Sequence, residues 1–337
     1  MEFHAPGGLT GYDIEAQRAA LRSRVEQSGL YLNEIEEFDA AVQAYDQIAG
    51  RLGIVEDIGN LTTPESRNLV RHVRLEDGSL AVLKITGNTR EPGEGELLSA
   101  WHRAGLPTVQ PISWGHARVT GPDARTSTYI LTRFAESRPL PEPRTMTERK
   151  ERVTQLVSLV RPFHDAHIRV SRARRWNDRI RQHLRWTLPL LRKHALAEPE
   201  QWAEKLYRLS EDGRLVIHGD PAGTNVLDSG GRLLLIDPPG ALIGLPEADI
   251  AQICSQVGGV EAAAELIDLV SSRDPALDPS AIAGFTGLNF LVWGGYLLAR
   301  HPNPDACRGE PPAEAARQDA ERYLALARQF LGEYQLP

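Results

Sequence analysis

The chain has 337 residues, 41% apolar and 25% charged, enough apolar material for a core and a length that suits a two-lobed globule. Its formal net charge of −7 is opposite in sign to the basic face a nucleic-acid partner requires, and is compatible with a cationic substrate. Cys254 and Cys307 have neither metal-site nor disulfide-framework spacing, and the start Met1-Glu2-Phe3-His4-Ala5-Pro6 carries no basic stretch followed by an apolar one, so the expected location is cytoplasmic.

In residues 13–49, Ile14, Leu21, Val25, Leu30, Ile35, Phe38, Val42 and Ile48 recur at helical spacing, with a break at Gly29. Residues 1–50 are therefore expected to form an N-terminal helical extension packed on the lobe that follows. Strand patterns come next: Ile54–Ile58, a polar loop 59–67, Asn68–Leu75, and Leu80–Ile85 after the turn Glu76-Asp77-Gly78-Ser79. Asp-Gly suits that turn because it tolerates positive φ. A helix near Gly93–Ala104 and strands near Ile112–Val119 and Ser127–Arg133 complete residues 51–134. Three strands, a helix and two strands make an α+β lobe with antiparallel neighbours, not an alternating βαβ fold.

Arg138-Pro139-Leu140-Pro141-Glu142-Pro143 reads as a proline-rich connector. The region 135–337 is then mostly helical, with helices predicted over Thr147–Ile168, Arg172–His194, Glu198–Leu209, Pro246–Ser272, Pro279–Arg300 and Pro312–Tyr334. Short strands around Val216 and Ile236 interrupt this run. Pro279–Ala299 holds no charged residue and is long enough to span a bilayer. Four glycines and Asn289 lower its apolarity, so a buried helix is expected and no membrane partner.

Three groups carry chemistry. Lys84 is the only lysine before residue 150 and lies in an apolar strand, where an ammonium group is costly unless paired. ATP phosphates and a helix carboxylate would supply that pairing. Glu94 and Glu96 are the candidate carboxylates, and spacing favours Glu94, which leaves Leu98 and Trp101 on one buried face. The loop from Gly59 to Ser66 lies where a phosphate-covering loop belongs, with Thr62, Thr63 and Ser66 as hydroxyl donors. It lacks a G-x-G-x-x-G pattern and reads equally as a plain hairpin loop. The strand Tyr129–Leu131 leads into Thr132-Arg133-Phe134, whose backbone is placed to read a nucleotide base.

The strongest signal is His218-Gly219-Asp220-Pro221-Ala222-Gly223-Thr224-Asn225-Val226, followed by Leu233-Leu234-Leu235-Ile236-Asp237. An acid, an amide five residues on, and a second acid behind an apolar run match the needs of phosphoryl transfer. Asp220 can receive the proton of an attacking hydroxyl. Asn225 and Asp237 offer the hard oxygens that hold Mg²⁺. Asp249 either hydrogen-bonds the loop backbone and holds Asp220 in place, or is a plain acid at a helix N-terminus. Trp293 is a candidate platform for a sugar ring, with core packing as its competing reading.

Read together, these residues resemble the aminoglycoside phosphotransferase family over roughly residues 50–330, most strongly from His218 to Ala251. The resemblance implies a bilobal protein-kinase-like fold, with a small antiparallel-sheet N-lobe and a mostly helical C-lobe. It implies ATP and Mg²⁺ as cofactors, Asp220 as the catalytic Asp, Asn225 and Asp237 as metal ligands and Lys84 at the nucleotide; His218 and Asp249 are expected as structural support. Ile236-Asp237-Pro238, Gly244 and Asp249-Ile250-Ala251 are similar to the streptomycin and hydroxyurea kinase branch. The order of the whole chain and its preference for Arg over Lys resemble actinobacterial glucosamine kinases. Ala222 stands where the family commonly has an imidazole, and Pro221 replaces a common leucine, which alters the surface nearest the acceptor. The expected function is an ATP-dependent kinase for a hydroxyl of an amino sugar, with free glucosamine the favoured acceptor. A streptomycin-type aminoglycoside kinase is the alternative, and a nucleotide-binding pseudokinase scaffold the third reading.

Overall fold

The structure, a computed structural model, describes residues 11–28, 33–62, 66–87, 93–118, 126–171, 173–193, 204, 207–208, 213–300 and 313–333. Thr63, Cys307 and most of the helix expected over Glu198–Leu209 lie outside the described residues. The chain divides into two compact units, residues 1–102 with 109–136, and residues 103–108 with 137–337.

The first unit begins with helices α1 (Gly11–Ser28) and α2 (Glu34–Arg51). The strands β1 (Ile54–Asn60), β2 (Leu69–Leu75), β3 (Leu80–Thr86), β4 (Pro111–Arg118) and β5 (Thr126–Arg133) form a sheet in the order β1-β2-β3-β5-β4. Every neighbouring pair is antiparallel. The β2–β3 turn is built as its residues require: Gly78 adopts φ +80, and Asp77 Oδ1 accepts from the Ser79 amide at 2.9 Å. Helix α3 (Glu94–Arg103) sits between β3 and β4 in the chain.

The two N-terminal helices supply one side of this unit's core. Leu21 and Val25 of α1 and Phe38, Ala41, Ala44 and Ile48 of α2 cluster with Leu69, Val73, Leu83, Ile85 and Leu131 of the sheet. A buried polar knot fixes the packing. Asp57 accepts from Tyr45 Oη of α2 at 2.6 Å and from the buried Arg71 guanidinium at 2.7 Å. Gly87 is required where α2 passes, because a Cβ there would lie 1.7 Å from the Glu37 carbonyl oxygen.

The second unit is dominated by α4 (Met146–Asp165), α5 (Trp176–Lys193), α6 (Pro246–Arg273), α7 (Pro279–Arg300) and α8 (Ala313–Glu333). A capping box starts α4: Thr145 Oγ1 accepts from the Glu148 amide at 3.2 Å, and Glu148 Oε2 accepts from the Thr145 amide at 2.9 Å. Helix α6 bends at Gly259, whose φ is +56. Residues 281–288 of α7 are buried throughout, which accounts for its uncharged sequence. Among the described residues, no helix is long and apolar enough to cross a membrane.

Two three-stranded sheets complete this unit. One has the order β10-β9-β6, from β6 (Arg138–Pro139), β9 (Val226–Ser229) and β10 (Arg232–Leu235). The other has the order β7-β11-β8, from β7 (Arg174–Arg175), β8 (Leu215–Ile217) and β11 (Leu242–Gly244). These strands revise two expectations. The start of the proline-rich connector pairs with β9 through Arg138 and Pro139. The helix expected from Arg172 begins only at Trp176, because Arg174 and Arg175 pair with Leu242 and Ile243. In both places a partner distant in sequence overrides local preference.

Residues 103–108, starting at the last residue of α3, belong to the second unit although the rest of α3 and β4 belong to the first. Leu235 N–H donates to the Pro107 carbonyl at 2.9 Å, and Thr108 Oγ1 donates to the Leu235 carbonyl at 2.7 Å.

Candidate active site

Strand β8 ends in His218-Gly219-Asp220, and the fold fixes this corner from behind. Gly219 has φ +81, and a Cβ on it would lie 2.4 Å from Leu242 Cδ1, so only glycine fits. Asp249, fully buried in the first turn of α6, accepts from the His218 amide at 2.9 Å and the Gly219 amide at 2.6 Å. His164 Nε2 of α4 donates to the same carboxylate at 2.9 Å. Burial alone would raise the pKa of Asp249, but these donors outweigh it and hold the group below the usual carboxylate range. Asp249 thus meets the loop backbone from the first turn of its own helix.

His218 links two loops. Its Nδ1 accepts from the Asp220 amide at 3.2 Å, so that nitrogen carries no proton. Nε2 therefore bears the hydrogen and donates it to the Ile236 carbonyl at 2.9 Å. Burial pushes the imidazole pKa down, in keeping with this neutral tautomer. One ring thus ties the backbone of Asp220 to the residue preceding Asp237.

The Asp220 carboxylate is surrounded by amides. Asn225 Nδ2 donates to Asp220 Oδ2 and to the Asp220 carbonyl, each at 3.0 Å. Gln252 Nε2 and Gln256 Nε2, one turn apart on α6, both donate to Oδ1 at 3.2 Å. Burial raises the pKa of Asp220 above the ordinary carboxylate value; Arg179 and His218 pull it down, and Asp237 pushes it up. Arg179 lies over the Trp176 ring at 5.5 Å.

Asn225 closes a single turn of 3₁₀ helix, Gly223–Asn225, and its carbonyl accepts from the Ile236 amide at 2.9 Å. That bond sets Asp237 beside the Asn225 turn. Asp237 has φ +55, a left-handed conformation uncommon outside glycine and typical of functional corners. With Nδ2 of Asn225 engaged by Asp220, its Oδ1 is the end left to face a ligand. An amide oxygen and a carboxylate are hard donors that fit Mg²⁺. Among the described residues, no group of three or more His, Cys, Asp or Glu is arranged to hold a metal ion. A divalent ion here would have these two oxygens from the protein and take the rest from phosphate or water, as Mg²⁺ commonly does.

In the first unit, Lys84 lies on β3 opposite Val70 and Ile130. Its Nζ is 3.0 Å from both Glu94 carboxylate oxygens, so Glu94, the first residue of α3, is the partner. The hydroxyl loop is braced from α1: the buried Gln17 amide donates to the carbonyls of Ser66 and Asn68 at 2.9 and 3.2 Å. Ser66 Oγ accepts from the Asn68 amide at 3.1 Å, and the Thr62 amide donates to Asn60 Oδ1 at 3.3 Å. Thr132 pairs with Val82 inside the sheet. The Phe134 amide donates to the Leu80 carbonyl at 3.0 Å, and its ring stacks on His72 with centroids 4.2 Å apart. A base-reading contact at Phe134 would therefore fall to its carbonyl and not its amide.

Trp293 packs edge-on against Phe290 and Tyr323, with ring centroids 5.8 and 5.9 Å apart, so packing between α7 and α8 accounts for it. Sequence reasoning missed Gln252, Gln256, Arg179 and His164. The two glutamines left a faint signal, as polar residues at i and i+4 on a helix that also buries Ala251, Ile253 and Cys254. Arg179 and His164 left none, because each meets the loop through tertiary packing.

A family model described as "Phosphotransferase enzyme family" matches residues 65–285. Among curated proteins, none matches the sequence significantly. Several solved structures share the fold. An amicoumacin kinase in complex with AMP-PNP, Ca²⁺ and Ami aligns with TM-score 0.63 at 15% identity, over 86% of this chain and 96% of that one. A microcompartment-associated aminopropanol kinase aligns with TM-score 0.56 at 16% identity, over 87% and 98%. The choline kinase LicA from Streptococcus pneumoniae aligns with TM-score 0.54 at 15% identity, over 83% and 96%.

Proposed function

Since the chain belongs to the phosphotransferase enzyme family, with its protein-kinase-like α+β fold, we propose that it moves the γ-phosphoryl group of ATP onto a hydroxyl of an amino sugar, with free glucosamine the favoured acceptor. The observation that carries this reading is the Asp220 corner. A carboxylate with a raised pKa, whose own amide is held by His218 and whose two preceding amides are held by Asp249, lies beside an Asn–Asp pair of hard oxygens. In this reading the acceptor oxygen attacks the γ-phosphorus, the bond to the bridging oxygen of ADP breaks, and Asp220 receives the acceptor proton. Asn225 and Asp237 would hold the divalent ion, whose chemistry is to neutralise the phosphate oxygens. Lys84, steered by Glu94, would meet the remaining phosphate charge.

The amino-sugar acceptor rests on the likeness of the chain's overall order, and of its preference for Arg over Lys, to glucosamine kinases. The kinases that share the fold are named for amicoumacin, choline and aminopropanol, the last two of which pair a nitrogen with a hydroxyl. A coupled ADP-release screen with glucosamine, neutral sugars and aminoglycosides tests the assignment. Turnover is expected with glucosamine, and Asp220→Ala should lower kcat by about 10²–10⁴-fold with an unchanged circular dichroism spectrum. Asp237→Ala should abolish the Mg²⁺-dependent rate. Turnover of streptomycin together with resistance in a sensitive host would replace the acceptor. Near-normal turnover by purified Asp220→Ala would remove the chemistry itself.

A further inference from the structure

The two oxygens of the Asp220 carboxylate are not equivalent. An ionised carboxylate accepts about four hydrogen bonds, two at each oxygen. Among the described residues, Oδ1 accepts from Gln252 Nε2 and from Gln256 Nε2, each at 3.2 Å, whereas Oδ2 accepts from Asn225 Nδ2 alone, at 3.0 Å. Oδ1 is therefore filled, and the open lone pair belongs to Oδ2. Unaided, a carboxylate turns readily, because its terminal torsion is broad and roughly two-fold. Donors on both oxygens oppose that rotation. The glutamines reach Oδ1 from successive turns of α6, and the backbone that carries them is anchored. Ser255 Oγ donates to the Gln252 carbonyl at 3.1 Å and accepts from Asn289 Nδ2 of α7 at 3.0 Å. Gly223, with φ +62, leaves the approach of Gln256 open: Gln256 Oε1 lies 3.0 Å from where a Cβ on Gly223 would be.

We propose that Gln252 and Gln256 are positioning residues: they occupy Oδ1 of Asp220 and so assign Oδ2 as the atom that receives the acceptor proton. This rests on the reading of Asp220 as the base of a phosphoryl transfer. In that step the acceptor O–H bond breaks and its proton passes to Oδ2. The electron pair left on the acceptor oxygen forms the new bond to the γ-phosphorus, and the bond to the bridging oxygen breaks with its pair leaving on ADP. Were Oδ1 the receiving atom, the acceptor would have to expel a glutamine amide before it could react. The two assignments differ in sign. With Oδ2 receiving the proton, the amides aim the carboxylate, and removing them slows the chemical step. With Oδ1 receiving it, the amides compete with the acceptor, and removing them speeds the reaction or tightens acceptor binding.

The test is steady-state ADP release, with glucosamine as acceptor, by the wild type, Gln252→Met, Gln256→Met and the double variant. Methionine keeps the side-chain length and removes the N–H. Each single variant keeps one donor on Oδ1 and should fall between the wild type and the double variant. The double variant should lose at least about tenfold and up to about 10²-fold in kcat, the cost of a misaimed catalytic group. Its kcat and kcat/KM should fall together, with the KM for ATP and for the acceptor each within about twofold of the wild type. The corresponding double alanine variant replaces it if the methionine pair lowers Tm. A loss in kcat smaller than about tenfold overturns the proposal, as does a loss carried by either KM. A rise in kcat/KM for the acceptor would make Oδ1 the receiving atom and overturns it too. Asp220→Ala, run alongside, keeps the two readings apart. Near-normal turnover by that variant removes Asp220 as the base; an inactive Asp220→Ala beside an unslowed double glutamine variant removes the positioning role alone.

Discussion

In the proposed reaction Asp220 has to be anionic to accept a proton, and its surroundings pull its titration in both directions. Burial raises its pKa from the ordinary 3.8, and Arg179 is the chief opposing influence. Protonation disables the base, so kcat/KM should fall as pH drops through a value above the ordinary carboxylate pKa. Replacing Arg179 with Met removes the nearby cation, so the acid limb should move to still higher pH. A pH–rate profile of both proteins checks the sign: an acid limb at or below the ordinary value, or a downward shift in Arg179→Met, contradicts this account. The same residue shows how legibility divides. Asp220, Asn225 and Asp237 announce themselves because one short run of chain, a 3₁₀ turn followed by the β9–β10 hairpin, delivers all three, which fixes their spacing. Arg179, Gln252 and Gln256 reach Asp220 from helices whose arrival depends on packing, so no interval in the chain encodes them.

Among the elements, α3 has the narrowest tolerance. It is only ten residues long, it opens with Glu94, and its second residue is Gly95. A Cβ on Gly95 would lie 2.5 Å from both Cβ and Cγ of Trp114 on β4, a contact that side-chain rotation cannot relieve. Gly95→Ala should therefore push the start of α3 away from β4 and carry Glu94 off Lys84. The helix-propensity gain of Ala, about 1 kcal/mol, is opposed by an overpacking cost of about 1–3 kcal/mol. The expected result is a lower Tm and a raised KM for ATP, both recovered in part by Trp114→Ala in the double variant. A single variant with unchanged nucleotide affinity would falsify the link between this packing and Lys84. The period of α3 and the Asp-Gly turn of the β2–β3 hairpin make those elements readable. The strands β6, β7 and β11 are two or three residues long, too short for any period, and exist only because a partner strand is already there.

For the molecule as a whole, the first unit shows how far a segment described as an extension can be from optional. The helices of residues 11–51 bury Leu21, Val25, Phe38 and Ile48 in the same cluster as the sheet residues. A chain starting at residue 52 would expose that face of the sheet to water. It should be recovered as aggregated protein; a soluble, ATP-binding protein from residue 52 onward would contradict this. Periodicity predicts these helices and that they pack on the lobe that follows, but it does not say which sheet residues share their core. The six residues 103–108 set a different limit, on recombination. A gene fragment opening at Ser137 would encode Asp220, Asn225 and Asp237 but strip the Leu235 amide and carbonyl of Pro107 and Thr108, two positions ahead of Asp237. The transfer half is therefore not a portable cassette. Any chimaera that exchanges the first unit has to graft this short span back from the original parent, and a lineage that shuffled these halves would have had to inherit it too.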